Sequence, residues 1–569
     1  MKDSTYSDWF CRHTGFTPHP WQAQLAGSSE LCNRLIRIPT GFGKTQGVLA
    51  AWAYNRLVRR DASWPRRLIL CLPMRVLVEQ TEAAVCEWLA RDGLLWAPGS
   101  SHTGRVGVHV LMGGRSREAW HLYPEHEAVL IGTQDMLLSR ALNRGYACGR
   151  ARWPMEYAQL HQDALWVLDE VQLMGVGLAT SSQFQAFRSQ EAARSLRPTA
   201  SWWMSATLQP RWLQTADQSS ESVAALTSDC LRIPAKQRVG PLWAVDKPCE
   251  VIALPHSGDK QRKKWAAHIA TLHQEQSPGP YGRVTLALAN TVDGAVELYR
   301  NLVKQFAKHA DPPELRLVHS RFRGHERDGW RTSFLQRSAC TSGANRIVVA
   351  TQVVEAGVDM SATTLVTPLA PWSSLVQRFG RAARYGGSAK IVVVDRQLAD
   401  DRAAAPYSAA ELVSARAALG LLTDVSPRSL EALEAELERD NPSLLTELYP
   451  YNPAHVLTRE EYGDLFDTGP DLTGADIDIS RFIRDGEDRD VLVWWSELPP
   501  SEPPPASSQP ERADFCRVSL VRAKKWLFAS KQAGSRRAFS WDYQDGAWKR
   551  LDRADLYPGQ VVLVDADFG

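Results

Sequence analysis

Ile36 to Gln46 reads IRIPTGFGKTQ, and this stretch decides how the remainder of the chain is read. Gly41-Phe42-Gly43-Lys44-Thr45 is a glycine-rich turn ending in Lys-Thr, set between an apolar run, Leu35 to Ile38, and a stretch of helical character from Gln46 to Leu57. Amides freed by the glycines and by a helix start can wrap a β-phosphate. Lys44 can reach the β and γ oxygens, and the Thr45 hydroxyl can ligate Mg²⁺. The loop departs from the full G-x-x-x-x-G-K-T pattern, because Ile38 stands where its first glycine would be.

Downstream of the loop a pattern of strand, turn and helix repeats. Arg67 to Leu72 is a continuous apolar run suited to a strand buried on both faces. Ala128 to Ile131 leads into Gly132-Thr133-Gln134-Asp135, Leu165 to Leu168 into Asp169-Glu170, and Trp202 to Met204 into Ser205-Ala206-Thr207. Such alternation predicts a parallel sheet with right-handed crossovers and function at the strand C-termini. Asp169 at such an end can hold Mg²⁺, and Glu170 can orient and deprotonate an attacking water. Gln172 is placed to couple these carboxylates to Ser205 and Thr207.

From Gln209 to about Gly282 the pattern weakens, and then a second strand series begins. Its strands end at Asn290-Thr291, His319-Ser320-Arg321 and Thr351-Gln352, and two further runs are Leu365 to Leu369 and Lys390 to Asp395. Gln377-Arg378-Phe379-Gly380-Arg381-Ala382-Ala383-Arg384 spaces two arginines three apart, hence on one face if the segment is helical. Permanently charged guanidinium groups at Arg381 and Arg384 suit a polyphosphate whose charge grows during transfer.

The chain has 569 residues, 66 Lys plus Arg against 64 Asp plus Glu, and 44% hydrophobic residues. That length exceeds one core and predicts several globular domains, while a net charge of +2 leaves any nucleic-acid surface to local charge segregation. Nine scattered cysteines without a C-x-x-C pair argue against a zinc knuckle or disulfide framework and fit a reducing cytoplasm. MKDSTYSDWF lacks an apolar signal segment, and no run approaches membrane-spanning length, so no membrane partner is expected.

Taken in order, PTGFGKT, LPMRVLVEQT, GTQDML, LDEVQ, SAT, ANTVD, HSRF, ATQVVEAGVD and QRFGRAAR make residues 1 to about 400 resemble a superfamily 2 helicase. HSRFRGHER, the D-E-V-Q box and VVEAGVDM before QRFGRAAR resemble, more narrowly, the CRISPR-associated helicase of type I interference systems. Leu465 to Val491 also resembles a segment near the C-terminal part of some of those helicases. The resemblance implies an α/β fold of two tandem RecA-like parallel-sheet lobes, 1–220 and 221–400. It implies ATP- and Mg²⁺-dependent movement along single-stranded DNA, 3′ to 5′, after recruitment by an RNA-guided surveillance complex.

Carried over by position, Thr40, Gly41, Gly43, Lys44 and Thr45 hold phosphates and metal, and Asp169 with Glu170 serve metal and water. Gln22, preceded by the aromatic Phe16, matches the family's adenine-reading glutamine. Gly357 and Asp359 lie near the ribose, and Gln377, Arg381 and Arg384 meet the γ-phosphate from the second lobe. Arg75, Gly113, Gly114 and Thr133 in the first lobe, and Asn290, Thr291, Arg321 and Thr351 in the second, match positions that grip the nucleic-acid backbone. Hydroxyls and amides can hold phosphates without base information, so tracking is expected to be sequence-independent.

The family works with an HD nuclease. Few residues precede the Gln box and none of the 14 histidines is followed by Asp, so no HD nuclease is expected in this chain. One is expected in trans or in a downstream segment. Residues 401–495 have helical spacing, as in Leu430-Leu433-Leu437, and are expected to be a helical accessory region packing on the motor lobes. The proline-rich stretch 496–512 is expected to be a stiff linker or loop, and 513–569 a small β-rich domain in which Trp526, Trp541 and Trp548, beside lysines and arginines, could stack bases, although Trp more often packs in a core. Two rival readings remain: an RNA-remodelling ATPase of the same superfamily, and a non-hydrolysing nucleic-acid-binding scaffold.

Overall fold

The computed structural model describes residues 5–28, 30–91, 93–97, 101, 104–113, 119–254, 259–398, 400–467, 469, 477–485, 490–498, 504–508, 510–528, 538–542, 545–551 and 556–567. The chain divides into two compact units, one formed by Met1–Ala244 with Pro427–Asp485 and the other by Val245–Ser426 with Gly486–Gly569. Among the described residues no helix is long and apolar enough to cross a membrane.

The first unit is built on six strands: β1 (Arg34–Arg37), β2 (Arg67–Leu72), β3 (Gly107–Leu111), β4 (Ala128–Thr133), β5 (Ala164–Asp169) and β6 (Thr199–Ser205). Their order is β1-β6-β5-β2-β4-β3, and every neighbouring pair is parallel. The apolar runs of β2, β4 and β5 are buried at every position, as strands covered on both faces require. Leu68, Leu70, Ile131, Val167, Trp202 and Met204 pack with Trp52 and Trp64 into one core. Each aliphatic side chain so buried contributes about 1.5–3 kcal/mol. Because the strands run the same way, Ile38, Thr133, Asp169 and Ser205 all emerge at one edge of the sheet.

The helix Val176–Gln190 (VGLATSSQFQAFRSQ) carries little amphipathic pattern, yet it is buried from Val176 to Phe187. Residues 449–485 explain this, because they supply partners for its polar side chains. Thr180 Oγ1 donates to the Phe482 carbonyl at 2.5 Å. The Gln183 amide donates to the Leu457 carbonyl at 2.6 Å and accepts from its N–H at 3.0 Å. The Tyr451 hydroxyl accepts from Ala179 N at 3.0 Å and donates to the Gly175 carbonyl at 3.1 Å. A buried polar stripe of this kind is stable only when every group is satisfied. The part of the accessory region from Pro427 to Asp485 therefore completes the first unit. Of the stretch Leu465 to Val491, residues 468, 470–476 and 486–489 lie outside the described residues.

The second unit repeats the architecture with β7 (Cys249–Ala253), β8 (Arg283–Leu288), β9 (Glu314–Val318), β10 (Asn345–Ala350), β11 (Thr364–Pro368) and β12 (Lys390–Asp395). The order is β7-β12-β11-β8-β10-β9, again parallel throughout. The helix Val292–Phe306 buries Ala295, Leu298, Leu302 and Phe306, an i, i+3, i+4 stripe, against this sheet.

A smaller mixed sheet has the order β14-β13-β17-β15-β16, from β13 (Asp490–Ser496), β14 (Cys516–Ser519), β15 (Ala538–Asp542), β16 (Ala547–Arg550) and β17 (Val561–Asp565). β13 precedes the proline-rich stretch and pairs antiparallel with β14, which follows it. The β-rich region thus starts at Asp490, before the proline-rich stretch, of which residues 499–503 and 509 lie outside the described residues. Cross-strand pairing of Val491 with Val518 and Val493 with Cys516, all buried, outweighs the local linker-like composition. Trp548 is buried and donates Nε1–H to the Ser508 carbonyl at 3.1 Å, while Trp526 and Trp541 pack beside Trp495 and Trp548. These rings belong to the sheet's own core clusters.

Candidate nucleotide and nucleic-acid sites

At the edge of the first sheet, the loop after β1 turns into the helix Lys44–Ala53 through Gly41 (φ 91°) and Gly43 (φ 67°). Both angles are left-handed, which glycine adopts without a Cβ clash. A Cβ at Gly43 would also sit 3.0 Å from Gln22 Nε2. The helix start leaves its first amides without intrahelical acceptors, an anion site by construction.

Lys44 is 8% exposed, and its Nζ makes no hydrogen bond; it meets only the Glu170 carboxylate at 3.4 Å. Thr45 Oγ1 donates to Asp169 Oδ2 at 3.3 Å, and Asp169 Oδ1 accepts from Glu170 N at 2.8 Å. Burial, and then the neighbouring Glu170 charge, push the Asp169 carboxyl up to about 7, against the opposing pull of Lys44. Glu170 itself has left-handed backbone angles (φ 51°, ψ 48°), a conformation costly for a residue with a Cβ and characteristic of functional sites.

Its side chain is held from behind. Gln172 Nε2 donates to Glu170 Oε2 at 2.7 Å, Ser205 Oγ donates to Gln172 Oε1 at 2.5 Å, and Thr207 N donates to Ser205 Oγ at 3.0 Å. This is the link between the Asp-Glu box and Ser205-Ala206-Thr207 that the sequence suggests.

A buried ammonium paired with a carboxylate at 3.4 Å, a hydroxyl and a second carboxylate at one strand end, and two left-handed glycines fit a Mg²⁺–triphosphate. The carboxylates and hydroxyl are the hard oxygen donors Mg²⁺ takes, and Lys44 Nζ awaits an anion.

Gln22 is buried, and both ends of its amide are engaged. Its Oε1 accepts from His19 N at 2.8 Å and its Nε2 donates to the Gly43 carbonyl at 3.0 Å. It therefore braces the phosphate loop from the helix Pro20–Ala26. Phe16 is 67% exposed, and Thr40 is half-buried in the loop. Nearby, Arg75 Nη1 donates to the Gly113 carbonyl at 2.6 Å, and Thr133, buried, caps the helix Gln134–Ala141 by position. Gly114 lies outside the described residues.

In the second unit the helix Trp372–Phe379 stops at Gly380, and Ala383 turns left-handed (φ 43°). Arg381 and Arg384 thus lie beyond the helix, and a shared helical face does not describe them. Arg381 is 5% exposed and donates to the carbonyls of Val354 (2.9 Å), Val358 (3.1 Å) and Glu355. It clamps the loop Thr351–Asp359, in which Gly357 is left-handed (φ 73°). Arg384 Nε donates to Asp359 Oδ1 at 2.8 Å, while its Nη1 is buried with no hydrogen-bond partner, as is Gln377 Oε1.

Sequence reasoning passed over the centre of this network. Arg378, 1% exposed, donates to Glu355 (2.7 Å), Thr367 (2.8 Å), Tyr407 (3.0 Å), Asn290 (3.1 Å) and the Pro368 carbonyl (3.3 Å). Burial raises the Glu355 carboxyl, and Arg378 opposes that rise. A Glu inside Thr-Gln-Val-Val-Glu together with Gln-Arg before Phe-Gly-Arg was the available signal, since a buried guanidinium requires a carboxylate. Tyr407 had none.

Of the second unit's strand-gripping candidates, Asn290 belongs to this network and also donates Nδ2–H to the Leu369 carbonyl at 2.9 Å. Thr351 is 2% exposed, and Gln352 beside it donates to the Asn290 carbonyl at 2.8 Å. Thr291 is exposed and caps the helix Val292–Phe306 through a 3.1 Å bond from Gly294 N. Arg321 donates to Asp293 at 3.1 Å.

Two parallel α/β sheets, one with a glycine-rich loop and an Asp-Glu pair at its strand ends and the other with an arginine-rich loop, are the frame of a nucleotide-dependent motor. Comparison with known proteins agrees. Residues 21–216 match the DEAD/DEAH box helicase family, and residues 281–387 match the C-terminal region of the CRISPR-associated nuclease/helicase Cas3. The Cas3 nuclease/helicase sequence of Myxococcus xanthus is 29% identical over 209 residues, 37% of this chain and 26% of that protein. That of Methanothermobacter thermautotrophicus is 28% identical over 150 residues, 24% of this chain and 17% of that protein. These matched segments span 26% and 17% of the curated relatives' length. By fold, the chain is similar to T. fusca Cas3 crystallised with AMPPNP (TM-score 0.64, 17% identity, covering 98% of this chain and 68% of that one). It is also similar to the DUF1998 helicase MrfA bound to DNA (TM-score 0.59, 14% identity, 99% and 73%). The chain thus carries a DEAD/DEAH box helicase segment followed by a segment similar to the C-terminal region of Cas3, on a fold similar to that of Cas3.

Proposed function

We propose that this protein is an ATP-driven translocase on single-stranded DNA, moving 3′ to 5′. It unwinds target DNA in type I CRISPR interference, in the cytoplasm, after an RNA-guided surveillance complex has displaced a strand. The observation that supports the ATPase reading is the buried ammonium of Lys44, ion-paired with Glu170 at 3.4 Å, beside Thr45 and Asp169. A scaffold that only bound nucleic acid would gain nothing from so costly an arrangement.

In this reading the loop amides and Lys44 take the β- and γ-phosphate oxygens. Mg²⁺, held by Thr45 and Asp169, supplies charge neutralisation across the phosphates when bound. Glu170, held by Gln172, orients the attacking water and accepts its proton. Gln377 and Arg384, each with a buried polar atom lacking a partner, are the second unit's candidates for the γ-phosphate. Arg381 positions the loop from which Asp359 and Gly357 face the ribose. Arg75, Thr133, Asn290, Thr291, Arg321 and Thr351 are the candidates for the DNA backbone. Any HD nuclease is supplied in trans or by a further segment.

Phosphate release in the presence of single-stranded DNA or RNA of one sequence tests this reading. Stimulation by DNA and not by RNA is the expected result. Preferential stimulation by RNA would assign the chain to RNA remodelling.

A further inference from the structure

Outside the nucleotide machinery, two guanidinium groups from separate parts of the second unit converge on one carboxylate. Arg321, in the turn after β9, donates Nη1–H to Asp293 at 3.1 Å. Arg522, on the helix Leu520–Phe528 that follows β14 of the small sheet, donates Nη1–H to both Asp293 oxygens at 2.9 and 2.8 Å. Arg300 and His319 line the same cavity of ≈ 340 Å³, as does Glu297, whose carboxylate is paired with Arg262.

The plain reading is a bolt between the small sheet and the second α/β sheet. Three observations speak for more than that. The Asp293 side chain is 67% exposed and those of Arg321 and Arg522 are 29% and 45% exposed, so the pairs contribute little to stability. The small sheet is held at this place by other contacts. Cys516 Sγ donates to the Arg321 carbonyl at 3.0 Å, and His325 meets Asp514 at 3.2 Å. Gly324 lies so close to Ala513 that a Cβ on it would stand 2.9 Å from the Ala513 Cβ. Finally, two planar guanidinium groups around one anion are the arrangement a phosphodiester oxygen pair takes.

We propose that Arg321 and Arg522, with Arg300 beside them, form a phosphate-binding subsite for a single-stranded nucleic acid, and that Asp293 occupies it as an internal substitute when no strand is present. An arriving phosphate exchanges with the carboxylate, which turns out to solvent from the first turn of its helix. Arg522 thereby brings the small sheet into contact with the strand, a role for it that does not require the tryptophans. The proposal rests on the reading of the chain as a strand-binding motor.

The test is binding of a labelled single-stranded DNA oligonucleotide to the full chain across a salt series, with the unfolding midpoint recorded for each variant. Arg522→Ala is expected to weaken binding several-fold and to reduce the log–log salt slope by about 0.7, the value for one lost phosphate contact on a single strand. Arg522→Lys is expected to restore most of that slope. Asp293→Asn, which removes the competing anion, is expected to tighten binding at low salt. All are expected to keep the wild-type unfolding midpoint. Variants that bind with wild-type affinity and slope would overturn the subsite while leaving the motor reading intact. Weakened binding by both Arg522→Ala and Asp293→Asn, with a lowered midpoint, would assign the cluster to docking alone. A wild-type chain that binds no strand even at low salt would overturn the motor reading along with it.

Discussion

Lys44 in the first unit and Arg378 in the second are both buried cations in nucleotide-binding motifs, and their surroundings are opposite. Lys44 has one ion contact at 3.4 Å and no hydrogen bond. Arg378 reaches Glu355, Thr367, Tyr407, Asn290 and the Pro368 carbonyl, and nearby Arg381 holds three more carbonyls. The first arrangement leaves the ammonium with a single ion pair, which suits the phosphate role proposed for it. The second is complementary to itself. Both are buried cations, one a lysine in the glycine-rich loop and the other an arginine in QRFGRAAR, and the difference lies in whether the surrounding chain folds its acceptors toward the charge.

The contrast is broken most strongly at Arg378. Arg378→Ala leaves Glu355 buried without its counter-charge, and a loss of about 3–5 kcal/mol in unfolding free energy is expected from denaturant titration. A change near zero would place Arg378 with Lys44 as a ligand-awaiting charge. Glu170→Gln is expected to do the reverse. It should lower turnover by about 10²–10³-fold, because in the proposed reading Glu170 acts on the attacking water, with a smaller loss of stability than Arg378→Ala because its contact to Lys44 is a single one at 3.4 Å. Gln172→Ala is expected to lower turnover by about 10–100-fold, as loss of an orienting partner does, with nucleotide affinity little changed. Equal turnover in that variant would show that the Gln172–Ser205 bonds do not hold Glu170.

The smallest effect is one of pH. The folded Asp169 carboxyl is raised from 3.8 to about 7, so its stabilising contribution is present below about 4 and is lost as pH rises through about 7. Without nucleotide, Asp169→Asn is therefore expected to raise the melting temperature relative to wild type more at pH 8 than at pH 5. A pH-independent difference would mean that Asp169 titrates normally.

What could be read from the sequence divides along the same line. The phosphate loop, the Asp-Glu box and the strands that carry them are local patterns. Their glycines, apolar runs and paired carboxylates occupy the strand ends that the sequence predicts. The Gln172–Ser205 link, 33 residues apart, was also legible because both partners sit at neighbouring strand ends. Contacts decided by distant segments were not. The helix that holds Thr180 and Gln183 has little local pattern because their partners, Phe482 and Leu457, lie 302 and 274 residues on. β13 was hidden because its partner β14 stands beyond a proline-rich stretch. Arg381 read as a free finger, and only the fold of Thr351–Asp359 shows the carbonyls it holds. Gln22 was legible as part of the nucleotide region, but its hold on Gly43 depends on a turn 21 residues away.

The most direct test of the account is phosphate release by the wild-type chain and by Lys44→Ala, with and without single-stranded DNA. The account predicts strand-stimulated release in the wild type and none above background in the variant, which still binds the strand and unfolds at the wild-type midpoint. Release by Lys44→Ala at the wild-type rate would contradict it.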